Sequence, residues 1–128
     1  MSFGCWVMEK KIDERTFDFA LEVVDLYKYL IGNKEYILSK QLLRSGTSIG
    51  ANVSEAQAAQ SRKDFISKMS IASKEARETL YWIRLLGKSG YLNKYSKLEL
   101  LDSEIRSIVK IITRIVKTTQ NSKPETKN

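Results

Sequence analysis

Apolar residues recur along this chain at three- and four-residue steps in four segments separated by short breaker clusters, and no stretch alternates strictly enough to demand a strand. The pattern predicts an all-α protein. The first segment runs from about Asp13 to Ile31, with Phe17, Ala20, Leu21, Val24, Tyr27 and Ile31 as its stripe and Gly32-Asn33 as a left-handed stop. The second runs from near Lys34 toward Gln60, with Leu38, Leu42, Ile49, Val53 and Ala56 on one face. Gly46 and Gly50 interrupt it. Each glycine costs about 1 kcal/mol against alanine inside a helix, so either the chain breaks there or small residues at Gly46, Gly50 and Ser54 admit another helix closely.

The third segment opens at Ser61, an N-cap followed by Asp64 in the first turn, and ends at Gly87-Lys88-Ser89-Gly90. Phe65, Met69, Ala72, Ala76, Leu80 and Ile83 form its stripe. The fourth begins around Lys94 to Ser96 and continues to about Thr119 on a heptad-like seam of Leu98, Leu101, Ile105, Ile108, Ile112 and Ile115. Short connections force neighbouring helices to run antiparallel, which predicts an up-down-up-down four-helix bundle over residues 11–119. Residues 1–10 read as a flexible N-terminal segment, with Met8 as an alternative start. Residues 120–128 hold the only proline, Pro124, and no apolar residue, and read as a disordered tail.

The fourth segment is apolar over more than one seam requires, adding Leu100, Val109, Ile111 and Val116, and the third adds Trp82 and Leu85. Such a surplus predicts self-association.

Composition narrows the chemistry. The 128 residues include no His, which removes imidazole acid–base catalysis, Ser-His and Cys-His nucleophile pairs, and zinc sites that need a His ligand. A lone Cys5 cannot form an internal disulfide, which fits a reducing cytoplasm. No apolar run spans a bilayer, and the Phe3 to Met8 stretch lacks the basic flank of a signal peptide. The expected setting is a bacterial cytoplasm, with no membrane contact and no cofactor.

Three constellations bear weighing. Ser45-Gly46-Thr47-Ser48-Ile49-Gly50 fails as a phosphate loop, which needs Lys and then Ser or Thr after its second glycine, where this chain has Ala51 and Asn52. Close helix packing is the better reading, and it requires partners for Ser48 and Asn52. Glu55, Glu75 and Glu78 sit mid-helix as in di-metal bundles, but those sites use Glu-x-x-His. Structural pairing of Glu55 and Glu78 with Arg44 or Arg77 is expected instead, and no metal site or catalytic residue is assigned.

Charge is the most suggestive feature. Lys and Arg total 22 against 15 Asp and Glu, a formal charge of +7, with residues 1–35 at −2 and residues 36–128 at +9. On the third helix Lys74, Arg77, Tyr81, Arg84 and Lys88 share one face, and on the fourth Arg106, Lys110, Arg114 and Lys117 form a stripe opposite the apolar seam. Two basic ridges with an aromatic among them suit the phosphate backbone of RNA or DNA. The competing reading is a solvated face relieved by Glu75, Glu78 and Glu104, in a structural adaptor that binds protein only.

Residues 36–92 carry a resemblance. Gln41 and Arg44 lead into Ser48-Ile49-Gly50-Ala51-Asn52-Val53-Ser54-Glu55-Ala56, similar to the signature S-I-x-x-N-I-A-E-G, and Ser61-Arg62-Lys63-Asp64-Phe65 is similar to S-x-K-x-F. The stretch Ser70 to Trp82 looks like the S-I-A-x-x-S-x-x-E-T region. The chain thus resembles the four-helix-bundle proteins encoded within intervening sequences of bacterial 23S rRNA genes, also labelled S23 ribosomal proteins. Ala56 and Ser54 stand where that family usually has Gly and Ala. The resemblance implies a second helix continuous through both glycines, and assembly into a ring, typically a pentamer. It assigns Arg44, Ser48, Asn52, Glu55 and Glu78 to fold and subunit contacts, with a ligand site as the lesser alternative. It also relates the chain to the accessory protein of diversity-generating retroelements, which binds nucleic acid and a reverse transcriptase. It carries over no catalytic residue.

Overall fold

The computed structural model describes residues 11–122. Four helices account for nearly all of it: α1 (Ile12–Gly32), α2 (Leu38–Gln57), α3 (Arg62–Lys88) and α4 (Leu98–Asn121). Each packs on the next, and α4 returns to α1, the core side chains of all four forming one cluster. Cross-helix contacts run in opposite senses along every neighbouring pair. Arg15 meets Glu104 while Glu22 meets Lys97, Arg44 meets Glu75 while Lys68 meets Glu55, and Arg62 meets Thr119 while Gly87 lies beneath Leu98.

The core of α2, α3 and α4 follows the predicted stripes, with Leu42, Ile49, Val53, Met69, Ala72, Ala76, Ile83, Leu101, Ile105, Ile108 and Ile112 all buried. In α1 the stripe is different. Thr16, Phe19, Val23, Leu26 and Leu30 face the core, whereas Phe17 and Leu21 are 63% and 56% exposed. Both sets recur at helical spacing, and only the geometry of the neighbours selects between them. The apolar surplus expected on α4 is largely absorbed: Val109, Ile111 and Val116 are half-buried, and only Leu100 stands out, at 62% exposed.

The glycine conflict resolves as close packing. Helix α2 is continuous through Gly46 and Gly50. A Cβ on Gly46 would stand 2.8 Å from both γ-methyls of Val23, and one on Gly50 would stand 3.2 Å from the Thr16 carbonyl oxygen. Ser54 does not extend this contact, because it is exposed.

Helix boundaries differ from the sequence reading at several places, among them the start of α4, which begins at Leu98 rather than between Lys94 and Ser96. Gly32 remains helical, and the left-handed residue that turns the chain is Lys34 (φ 67°). Helix α2 then starts at Leu38 rather than Lys34, because the buried Glu35 carboxylate accepts the free N–H groups of Ile37, Leu38 and Ser39 at 3.2, 3.0 and 2.6 Å. A carboxylate there satisfies the orphan donors and the positive end of the helix dipole together. At the other end α2 stops at Gln57, short of Gln60. The Ser61 side chain caps α3 as expected, accepting from the Asp64 N–H at 3.0 Å. Helix α4 runs through Asn121, so Gln120 and Asn121, placed in the tail by composition, are helical. Arg62 closes that end by donating to the Thr119 and Ser122 carbonyls. The expectations for residues 1–10 and 123–128 lie outside the described residues.

Candidate nucleic-acid interface

Lys74, Arg77, Tyr81, Arg84 and Lys88 are all exposed on α3, and Arg106, Lys110, Arg114 and Lys117 are all exposed on α4. Helices α3 and α4 are neighbours, and the two ridges come together at one end of their seam. They approach each other at a groove of about 440 Å³ lined by Ile83, Arg84, Gly87, Lys88, Leu98, Glu99, Asp102 and Arg106. Its apolar residues come from the inward-leaning side of each helix, and its cations from the rim. Arg114 departs from this arrangement, for it also lines the cleft between α1 and α4 beside Arg15 and Glu104.

The acids expected to relieve the ridges are engaged elsewhere. Arg44, reaching from α2, pairs with Glu75 at 3.2 Å and also with Glu78. Glu104 accepts from Arg15 at 2.8 Å. Among the described residues, Arg106 is the one ridge cation with an ion-pair partner, Asp102, one turn back at 2.8 Å. Lys74, Arg77, Arg84, Lys88, Lys110, Arg114 and Lys117 have none.

Glu78 is the hub of the α2–α3 side. It accepts from the Trp82 indole N–H at 2.9 Å as well as from Arg44. The Trp82 hydrogen bond holds its carboxyl below the ordinary carboxylate range, and Arg44 and the more distant Lys74 lower it further. Tyr81 leans edge-to-face on Trp82, with ring centroids 5.0 Å apart, and remains 56% exposed.

The expected pairing of Glu78 with Arg44 is present, but Glu55 pairs with neither Arg44 nor Arg77; it meets Lys68 at 2.9 Å. Ser48 and Asn52 need no buried partner across the bundle. Ser48 donates to the Arg44 carbonyl at 2.7 Å and Asn52 to the Ser48 carbonyl at 2.9 Å, both within α2. A polar link between helices lies deeper, where the buried Thr79 hydroxyl meets that of Ser45 at 2.9 Å. Sequence reasoning missed the groove floor of Ile83, Gly87 and Leu98; the signal available was the i, i+3, i+4 spacing of residues 84, 87 and 88 facing 98, 102 and 106. Among the described residues no group of His, Cys, Asp and Glu side chains is arranged to hold a metal, and no helix is long and apolar enough to cross a membrane.

No curated protein matches the chain. A solved structure does: a protein of unknown function from the S23 ribosomal protein family of Bacteroides thetaiotaomicron VPI-5482. It is 45% identical, with a TM-score of 0.79, and the match covers 84% of this chain and 99% of that one. The family model described as 23S rRNA-intervening sequence protein matches residues 8–114. That span takes in α1, α2, α3, α4 as far as Arg114 and every ridge residue except Lys117, and the chain belongs to the 23S rRNA-intervening sequence protein family.

Proposed function

We propose that this chain is a non-catalytic, self-associating helical bundle that binds RNA or DNA through the α3 and α4 ridges. One observation carries the reading: Glu75, Glu78 and Glu104 are engaged by Arg44 and Arg15 and Asp102 by Arg106, leaving seven exposed ridge cations without an ion-pair partner among the described residues. Unpaired cations on adjacent helices make a continuous positive field, to which phosphates bind with release of condensed counterions. The setting is cytoplasmic, and the bound partner is a polyanion rather than a small substrate.

Self-association is supported by the second apolar stripe of α1. Phe17 and Leu21 are exposed and Val24 is half-buried on a face that the chain's own core does not use. A second copy of this chain would cover it, and the family resemblance favours a ring of five. Repeating the ridges around an axis raises the local potential without any new residue. Arg44, Glu55 and Glu78, half-exposed on one side of the bundle, serve as subunit contacts in this reading.

The test is fluorescence anisotropy with labelled RNA and DNA over a salt series. The wild-type affinity is expected to fall steeply and linearly in log–log form with salt. Replacing Arg77, Arg84, Arg106 and Arg114 with Glu should abolish binding while helix content and assembly size persist. Unchanged affinity in that variant would refute the ridge assignment, and binding insensitive to salt would favour an adaptor that contacts protein alone.

A further inference from the structure

The charge pattern suits any phosphate backbone, but two uncharged features of the same face do not. Tyr81 projects from the middle of the α3 ridge, with Arg77 one turn before it and Arg84 one turn after. Its ring is braced from one side by Trp82, which the Glu78 carboxylate fixes in turn. A braced ring loses little freedom when a flat partner is laid on it. The seam groove repeats the theme. Its rim carries Arg84, Lys88 and Arg106, yet its floor is Ile83, Gly87 and Leu98.

Neither feature gains anything from a regular duplex, whose base faces are stacked away from the protein. Both gain from a strand whose bases are free. We infer that the nucleic acid held on this face is single-stranded, with one base stacked on Tyr81 and a neighbouring nucleotide seated in the α3–α4 groove, its phosphates on the rim cations. This rests on the nucleic-acid reading above and gives it a substrate class. The ridge from Lys74 to Lys88 is about 21 Å long at 1.5 Å per residue, enough for a short run of nucleotides. Asp102 and Glu99 lie in the groove as well, and Asp102 holds the Arg106 guanidinium at the rim through its 2.8 Å contact. The acids shape the rim while the unpaired Arg84 and Lys88 supply its attraction.

The experiment compares labelled oligo(U), oligo(dT) and a duplex of equal length, each titrated with the wild-type protein and with Tyr81→Leu, Tyr81→Phe and Gly87→Ala. Single strands are expected to bind more tightly than the duplex at equal salt. Tyr81→Leu should weaken single-strand binding about 5- to 150-fold, the range for losing one base–aromatic stack, while Tyr81→Phe retains it and duplex affinity stays put. Gly87→Ala places a methyl 3.7 Å from Leu98, an ordinary contact. The fold accepts it, and the narrowed groove should weaken single-strand binding. Duplex binding equal to or tighter than single-strand binding, or an unchanged affinity in Tyr81→Leu, overturns the inference while leaving the ridges in place. Failure of every probe to bind at low salt overturns both readings.

Discussion

Gly46→Ala sets two quantities of opposite sign against each other. Within an isolated helix the substitution would stabilise by about 1 kcal/mol, because alanine loses less backbone entropy. In this bundle the new methyl would sit 2.8 Å from both γ-methyls of Val23. Carbon atoms prefer about 3.5–4.0 Å, so an overlap near 1 Å must be relieved. Val23 is fully buried, and a β-branched side chain in a helix has one strongly preferred rotamer, so the relief must come from backbone. Overpacking costs about 1–3 kcal/mol; overlap with two methyls at once puts this case at about 2–3 kcal/mol, and after the helix gain the net loss should be about 1–2 kcal/mol. The assay is urea unfolding followed by far-UV circular dichroism, at one fixed protein concentration because assembly would contribute to the midpoint. The double variant isolates the contact: with Val23→Ala in place, Gly46→Ala should become neutral or stabilising. Equal or higher stability of Gly46→Ala in the wild-type background, or the same effect in both backgrounds, would refute the close approach of α1 and α2.

Three further outcomes follow from other contacts. Glu35→Ala should cost about 2–3 kcal/mol in the same unfolding assay, since hydrogen bonds to a charged group contribute about 1.5–3 kcal/mol and three backbone donors lose their acceptor; Glu35→Gln should lose less. The carboxyl of Glu78 titrates below its ordinary 4.5, so its contribution is present above that value and disappears as pH falls through the lower folded one. Trp82→Phe should flatten this acid-side loss in a series of melts across pH. The phenol of Tyr95 is pushed up by burial and by its 3.1 Å hydrogen bond to Asp25. Its contribution is therefore present below the ordinary 10.0 and lost as pH rises beyond it, and ultraviolet titration should show the Tyr95 phenol ionising above that value, an outcome that Asp25→Asn would move to lower pH.

What could be read from the chain beforehand divides along the range of the forces involved. Helix number, the core faces of α2, α3 and α4, and the Ser61 cap depend on periodicity and on residues within one turn, so they are visible in sequence. The α1 stripe was not, because Phe17-Leu21-Val24 and Phe19-Val23-Leu26 are equally regular and only the position of α2 and α4 separates them. The start of α2 was hidden because a glutamate three residues ahead of a helix is an unusual cap, and nothing in its spacing distinguishes it from a surface acid. The ridges were legible as stripes, since exposure follows from lying opposite an apolar seam. The engagement of Glu75, Glu78 and Glu104 away from the ridges was not, because it depends on Arg44 and Arg15 reaching across to other helices, and long side chains leave no periodic trace of their partners.

The contact of Arg44 with Glu78 reaches further than the two side chains that make it. Glu78 grips the indole of Trp82, and that indole is the surface on which Tyr81 leans. A cation on α2 therefore sets the pose of an aromatic ring on the outer face of α3 through one carboxylate and one indole. Acidification that protonates Glu78, or loss of Arg44 alone, would slacken this chain link by link and return the ring to rotational freedom. The ring's orientation is then a property inherited from the α2–α3 packing, and any event that shifts those helices is transmitted to the bundle's exterior as a change in stacking.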